Sequence, residues 1–307
     1  MTPRLTIGPN QYFWSAKKKI DFYNRIADEA PVDTVYLGEV VCSKRQPFFD
    51  DHLPEVAERL QRGGKTVVVC GLAEVMLKRE RKASEALVET ADLWEIEVNN
   101  AAALLHMGGK AHRVGQFMNV YNPETMRHLS ARGATHFCVP AELPGESVAL
   151  MADEAAKLGV GLEVQVFGRA SLATSARCYH ARAHGRTKDN CQFVCEEDAD
   201  GMPLDTRDGQ SFLRVNGIQT LSHSYVNLVA EAPDMARMGV SDLRLMPQDV
   251  DMVAVARCFA DVAKGAIDGT EAEARLDAMS LEPPFSNGFW YGEAGHRRIA
   301  AKAAALH

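Results

Sequence analysis

Lys65-Thr-Val-Val-Val-Cys70, set between Gly63-Gly64 and Gly71, is the stretch on which the fold turns. A short β-branched run bounded by glycines reads as a buried strand. Working back from it, a helix over residues 53–62 stops at Gly63-Gly64. Before that lie Thr34-Val-Tyr-Leu-Gly38, an amphipathic stretch over 18–29, and Leu5-Thr-Ile-Gly-Pro9. Working forward, a helix over 73–90 leads into Leu93-Trp-Glu-Ile-Glu-Val98, then Arg113-Val-Gly-Gln-Phe-Met118. A helix over 123–132 follows, with Asn122 as its N-cap. Thr135-His-Phe-Cys-Val139, a helix over 145–158 ended by Gly159, and Gly161-Leu-Glu-Val-Gln-Val-Phe167 complete seven strands.

The rhythm then breaks for about 75 residues, in which Asp205-Thr-Arg-Asp-Gly209 reads as a hairpin turn before strand-like Ser211-Phe-Leu-Arg-Val215 and Ile218-Gln-Thr-Leu221. It resumes at Ser241-Asp-Leu-Arg-Leu-Met246, with a helix over 250–265 and a tail holding Asn287-Gly-Phe-Trp-Tyr-Gly292. Eight strands, most followed by a helix, predict an α/β fold: a (β/α)8 TIM-like barrel as one domain over residues 1–307. The long cysteine-bearing insertion after strand 7 spans about 168–241. A doubly wound open sheet fits the same alternation. There is no short-period repeat, and only the Ala-rich end over 299–306 is of low complexity.

The apolar share of 46% and charged share of 24% are those of a globular chain able to bury a core. A net charge of −7 excludes nonspecific nucleic-acid binding, which needs a basic face. The N-terminus shows no signal-peptide pattern, and no apolar run is long enough to span a membrane. Seven cysteines, an odd number, read as reduced thiols rather than a disulfide framework. The expectation is a soluble cytoplasmic protein.

Three cysteines gather in one basic segment as C-x12-C-x3-C: Cys178, Cys191 and Cys195, among Arg177, Arg182, Arg186 and Lys188. The nearby cations are expected to lower the thiol pKa values and to favour an anionic group there. Cys42 follows the second strand. In a barrel that loop opens on the same face as the loop after strand 7, so Cys42 is placed to complete a set of four. Four thiolates suit a [4Fe–4S] cluster or structural zinc; the spacing, with only Cys191 and Cys195 closely paired, favours the cluster. Cys70, Cys138 and Cys258 sit in strand or helix interiors and read as small buried hydrophobes.

Other polar residues fall at strand ends, where barrel enzymes keep their chemistry: Asn10, Glu39, Asn99, Asn100, Gln116, Asn119, Glu142, Arg169 and Gln248. Glu39 and Glu142 are acid–base candidates, or simply ion-paired carboxylates. His180 and His184 read as supporting groups in the cysteine loop; His106, His112, His128, His136 and His223 are scattered. No nucleophile–base motif, HExxH or P-loop is present.

The run Ser175-Ala-Arg-Cys178-Tyr179, continued by Lys188-Asp-Asn-Cys-Gln-Phe-Val-Cys195, resembles the collagenase-like peptidase family. Leu37-Gly-Glu-Val-Val-Cys42-Ser-Lys-Arg45, Asn216-Gly-Ile-Gln-Thr220 and Asn287-Gly-Phe-Trp290 are similar to its ubiquinone-biosynthesis branch. That resemblance implies an iron–sulfur subunit of an oxygen-independent hydroxylase acting on the aromatic ring of ubiquinone precursors. It implies a heterodimer with UbiU, a lipid-carrier protein presenting polyprenyl-phenol intermediates, and prephenate as hydroxyl donor. The implied ligands of the [4Fe–4S] cluster are Cys42, Cys178, Cys191 and Cys195. A peptidase of the wider family, or a zinc-stabilised binding subunit without catalysis, are the competing readings. The catalytic residues beyond the cluster carry over onto no position.

Overall fold

In the computed structural model, which describes residues 2–300, the chain passes through seven strands: β1 (Arg4–Ile7), β2 (Thr34–Leu37), β3 (Thr66–Cys70), β4 (Glu95–Val98), β5 (His112–Val114), β6 (Ala134–Cys138) and β7 (Gly161–Thr174). Then come β8 (Met202–Asp205), β9 (Ser211–Asn216), β10 (Gln219–Asn227), β11 (Asp242–Leu245) and the short β12 (Phe285–Ser286). β1 to β7 pair in parallel in chain order. β11 pairs in parallel with both β7 and β1, so the eight strands close into a TIM-like barrel and the open-sheet alternative falls.

Around the barrel lie α1 (Ala16–Glu29), α2 (Leu53–Arg62), α3 (Lys78–Glu89), α4 (Ala101–Met107), α5 (Pro123–Ser130) and α6 (Gly145–Leu158). A short α7 (Tyr179–Ala183) follows β7, and α8 (Ala232–Met238), α9 (Met252–Ala263) and α10 (Gly269–Asp277) complete the chain. Asn122 caps α5 as expected, its Oδ1 accepting from Thr125 N at 2.8 Å. The helix expected from residue 73 starts only at Lys78. Glu80 Oε2 accepts from the backbone N–H groups of Met76 and Leu77 at 2.8 and 2.9 Å, which fixes the chain before the first turn.

Strand alternation sorts two kinds of side chain. Val35, Leu37, Val67, Val69, Ile96, Val98, Val164 and Leu243 belong to the apolar core packed beneath the helices. The barrel interior is polar instead. Arg244 reaches Glu97 at 2.5 Å and Glu163 at 2.6 Å, and Glu163 also accepts from Thr6 and, at 2.8 Å, from Tyr36 Oη. His136 Nε2 stands 3.2 Å from the same carboxylate. Cys70 belongs to this polar interior, its thiol donating to Glu97 Oε1 at 3.5 Å, so it is buried as expected but not among apolar neighbours alone.

β7 runs twice as far as the sequence pattern indicates. Past the barrel it pairs antiparallel with β10, which in turn pairs with β9 and β9 with β8. The strand leaves the barrel at Gly168, where φ is +99° and an added Cβ would lie 2.7 Å from Gln248 Nε2 and 2.9 Å from Met246 O. Only glycine fits that exit. The β8–β9 hairpin turns at the expected Asp208-Gly209 step, with Thr206 N donating to Gln210 O at 2.8 Å. In the tail, Trp290 is buried against Gly145 rather than displayed. The Ala-rich end lies outside the described residues beyond residue 300. No helix of the described residues is long and apolar enough to cross a membrane.

Candidate functional site

Two loops at the C-terminal end of the barrel bring four cysteines to one small cavity. Cys42 comes from the loop after β2; Cys178, Cys191 and Cys195 come from the segment after β7. Each is fixed by its own backbone. The carboxylate of Glu39 accepts the N–H groups of Val41 and Cys42 on one oxygen, at 2.9 and 3.0 Å. Cys178 caps α7, its Sγ accepting from Ala181 N at 3.4 Å. Gln192 and Phe193 adopt positive φ (48° and 55°), a backbone reversal that turns the chain between Cys191 and Cys195. Arg186 Nη1 donates to Cys191 O at 3.3 Å.

The residue that sequence reading missed is Arg45. It is 1% exposed, and its guanidinium lies against Cys195 and Cys42. Nη1 donates to Gln11 O at 2.9 Å and Nη2 to Asn216 Oδ1 at 3.0 Å, while Nε has no partner among the described residues. No carboxylate stands within ion-pairing distance of it in the described residues. Gly217 makes room for it: φ is +60°, and an added Cβ would lie 2.8 Å from Nη2. A buried cation without an ion-paired carboxylate is costly, so Arg45, helped only at longer range by Glu39, is best satisfied when the adjacent sulfurs carry negative charge. The sole sequence signal was the Lys44-Arg45 pair three residues past Cys42.

The expected fall in thiol pKa is not found. Burial pushes Cys42, Cys178 and Cys195 up, and Arg45 only partly offsets this at each of them. The cations counted in the sequence mostly face solvent: Arg177 and Arg182 are exposed, and of that group only Lys188 lines the cavity. Burial thus favours the protonated form of Cys42, Cys178 and Cys195. Lys44, Arg45 and Lys188 line the cavity and no carboxylate does, so the donor set fits an anionic group held by thiolates. Among the described residues no three His, Cys, Asp or Glu side chains are grouped so as to hold a single metal ion. The four thiols line one cavity.

His180 is fully buried beside the cavity. Its Nε2 meets Asp198 at 2.9 Å and its Nδ1 accepts from Gly217 N at 3.5 Å, so it braces the loop that carries Arg45's glycine. His184 stacks on it at 5.6 Å. Phe13, Phe48 and Phe193 form a cluster with centroids 4.8–5.6 Å apart next to the thiols.

The remaining candidates scatter. Asn10 Oδ1 accepts from Tyr12 N at 2.9 Å, Gln248 accepts from Tyr12 Oη at 2.8 Å and Arg169 pairs with Asp200. Asn99 bonds Gly71 O and Glu97, Asn100 caps α4, Gln116 is buried in a short turn and Asn119 ends that turn with φ 55°. Glu142 lies on the surface with Tyr121, away from the thiols. His112 and His136 are buried in the barrel strands; His106, His128 and His223 make no part of the cavity lining. Cys138 and Cys258 are buried.

The model of Peptidase family U32 matches residues 18–300. Solved structures resemble the chain at low identity. A chain of the tryptophan synthase complex from Pyrococcus furiosus aligns at 9% identity and TM-score 0.41, over 91% of this chain and 98% of that one. An uncharacterized B. cereus protein aligns at 12% and 0.40, over 80% and 61%, and the spore cortex-lytic enzyme SleL of Bacillus megaterium at 10% and 0.42, over 84% and 74%.

Proposed function

The chain belongs to peptidase family U32, and from that premise we propose that it is an iron–sulfur subunit of an oxygen-independent hydroxylase, a counterpart of UbiV. In this reading it works as a heterodimer with UbiU in the cytoplasm. Polyprenyl-phenol precursors of ubiquinone, presented by a lipid-carrier protein, receive a hydroxyl group on the ring, with prephenate as donor. Cys42, Cys178, Cys191 and Cys195 hold a [4Fe–4S] cluster.

The observation that carries the reading is Arg45: a buried guanidinium, with no ion-paired carboxylate among the described residues, laid against the thiols. A gathering of four thiols around a cavity also suits a polynuclear centre better than zinc, whose four sulfurs close at about 2.3 Å on one ion. Such a cluster, with all its ligands from protein, supplies one-electron transfer rather than an open iron site. This chain's own groups do the rest. Arg45 stabilises the thiolates once their protons leave, Lys44 and Lys188 add positive charge at the rim, and Phe13 and Phe193 keep water off that side.

The test is iron and acid-labile sulfide after anaerobic purification, with a visible spectrum. About four of each per chain with a broad brown absorbance is expected. About one zinc per chain without sulfide would end the redox reading. The family's description also carries a peptidase reading; its test is cleavage of peptides by the purified chain, and the described site offers no nucleophile–base pair for it.

A further inference from the structure

The cations of this acidic chain are unevenly matched. Many surface Lys and Arg meet a carboxylate, as Lys17 meets Asp21, Arg25 Glu29, Arg275 Glu271 and Arg298 Asp277. Around the thiol cavity this fails. Lys44, Arg81, Arg177, Arg182, Arg186 and Lys188 form no ion pair among the described residues, and the acids of the same segment that do pair, Asp198 and Glu197, meet His180 and His184 instead.

The six lie together. Lys44 and Lys188 line the cavity, and Lys44 Nζ donates to Lys188 O and Asp189 O at 2.8 and 3.0 Å. Arg186 bonds Cys191 O, Arg177 directly precedes Cys178, and Arg182 sits one turn beyond it on α7. Arg81 is in the first turn of α3, which Ser43 Oγ ties to the Cys42 loop by donating to Glu80 Oε1 at 2.7 Å. Both oxygens of Glu80 are committed there, so it offers no partner to the rim. Arg81 Nη1 donates to Met76 O at 3.0 Å. Met76, Leu77 and Tyr179 are 42–48% exposed on this rim.

Arginines interleaved with methionine and an aromatic ring have the composition of a protein–protein contact, and a face of one sign steers an oppositely charged partner to itself. Asp189, Glu196 and Glu197 are exposed among the cations. A uniformly anionic surface, whether nucleic-acid backbone or lipid leaflet, meets repulsion at those carboxylates, whereas a folded partner is free to leave them unopposed. Cys42 and Cys191 are only half-buried at the rim, so a partner seated there is next to the thiols.

We propose that this basic rim docks a small acidic one-electron carrier protein of the ferredoxin or flavodoxin kind. One electron passes between the carrier and the centre held by the thiols, so that one is oxidised and the other reduced, with no group transferred. The electron's destination rests on the cluster reading; the docking does not.

The test titrates a plant-type [2Fe–2S] ferredoxin, which is acidic, and cytochrome c, a basic carrier, into the anaerobically purified chain by calorimetry. Ferredoxin is expected to bind at low salt and to weaken at least about tenfold between about 20 and 200 mM salt, while cytochrome c does not bind. Arg177→Glu/Arg182→Glu is expected to weaken ferredoxin binding at least about tenfold. Arg62→Glu/Lys264→Glu makes the same change of charge at the opposite end of the barrel, where α2 and α9 finish, and is expected to keep binding within about twofold. If the rim variant fails to fold, the salt series and the cytochrome comparison still decide. With iron-loaded protein, stopped-flow mixing of reduced ferredoxin with the oxidised chain, and of oxidised ferredoxin with the reduced chain, is expected to show transfer in the downhill direction, slowed by the rim reversal. No ferredoxin binding, equal binding of cytochrome c, equal loss in both reversals, tighter binding to phosphatidylserine vesicles or a DNA oligonucleotide, or no transfer in either direction would each overturn the proposal. Ferredoxin binding by a chain that takes up no iron or sulfide would uphold the dock and end the cluster reading, so the two fail separately.

Discussion

At the scale of single residues, Arg45 is the most exacting position in the molecule. Its charge is buried, its Nε unpartnered and its glycine neighbour irreplaceable by a larger residue. Arg45→Met keeps the volume and removes the charge, so the thiols, already shifted upward by burial, give up their protons still less readily. The expected result is iron content reduced several-fold in anaerobically purified protein while the far-UV circular dichroism is retained. Replacing Cys42, Cys178, Cys191 or Cys195 by Ala is expected to lose iron and function together, whereas Cys70→Ala and Cys138→Ala keep both; retained iron in Cys42→Ala removes that residue from the ligand set. The four cysteines were legible because thiols at C-x12-C-x3-C are rare and chemically conspicuous. Arg45 was not, since a Lys-Arg pair is ordinary on a surface and nothing local says that one of the two goes inside.

At the scale of elements, the strands were readable where β-branched residues alternate or run, and unreadable where the chain does something a strand does not advertise. β8, Met202-Pro-Leu-Asp205, carries a proline and mostly exposed side chains, so neither period nor propensity marks it. α4 is seven residues opening on three alanines and α8 carries Pro233 in its first turn, both too short for a helical period to register. The second half of β7 has no apolar face of its own and is held by pairing with β10. The polar barrel interior had a signal that went unused: Glu95-Ile-Glu-Val98 and Asp242-Leu-Arg-Leu245 alternate charge with hydrocarbon, and one of those faces must point inward. That interior is a set of strands tied by charge. Glu163→Gln leaves Arg244 with one carboxylate instead of two in a fully buried place, and is expected to cost about 3 kcal/mol in urea unfolding.

At the scale of the whole molecule, the buried titrating groups set how stability follows pH. Burial pulls the pKa of His112 down, with only Lys110 O opposing it. Its contribution is thus complete above the unfolded value of about 6.5 and is lost as pH falls below it. Burial acts to raise Glu163, but Arg244 and His136 outweigh it and hold the carboxyl well below its usual range. That contribution is present above about 4.5 and disappears only in stronger acid. Burial lowers His180 and His223 in the same way, so unfolding free energy measured by urea is expected to fall first as pH drops below about 6.5, then again below about 4.5, and His112→Gln is expected to shrink the first decline and leave the second unchanged. Loading the thiol cavity ties the loop after β2 to the segment after β7. Iron removal by chelator under anaerobic conditions is expected to lower the melting temperature, with little effect in Cys195→Ala.

The distance along the chain between those two loops also fixes an order of events during synthesis. Cys42 leaves the ribosome 153 residues ahead of Cys195, and at roughly 5–20 residues per second that is about 8 to 30 seconds. Until Cys178 is made, 136 residues later, the first thiol has none of its companions, and the last strand needed to close the ring, β11, follows Cys195. The thiol set is therefore completed only after β7 has been made, and closure of the barrel waits for β11, so until then the nascent chain has no finished pocket to receive anything. Whatever fills the cavity meets a chain whose first seven strands are already made, and a supply offered before Cys178 finds only Cys42 of the set.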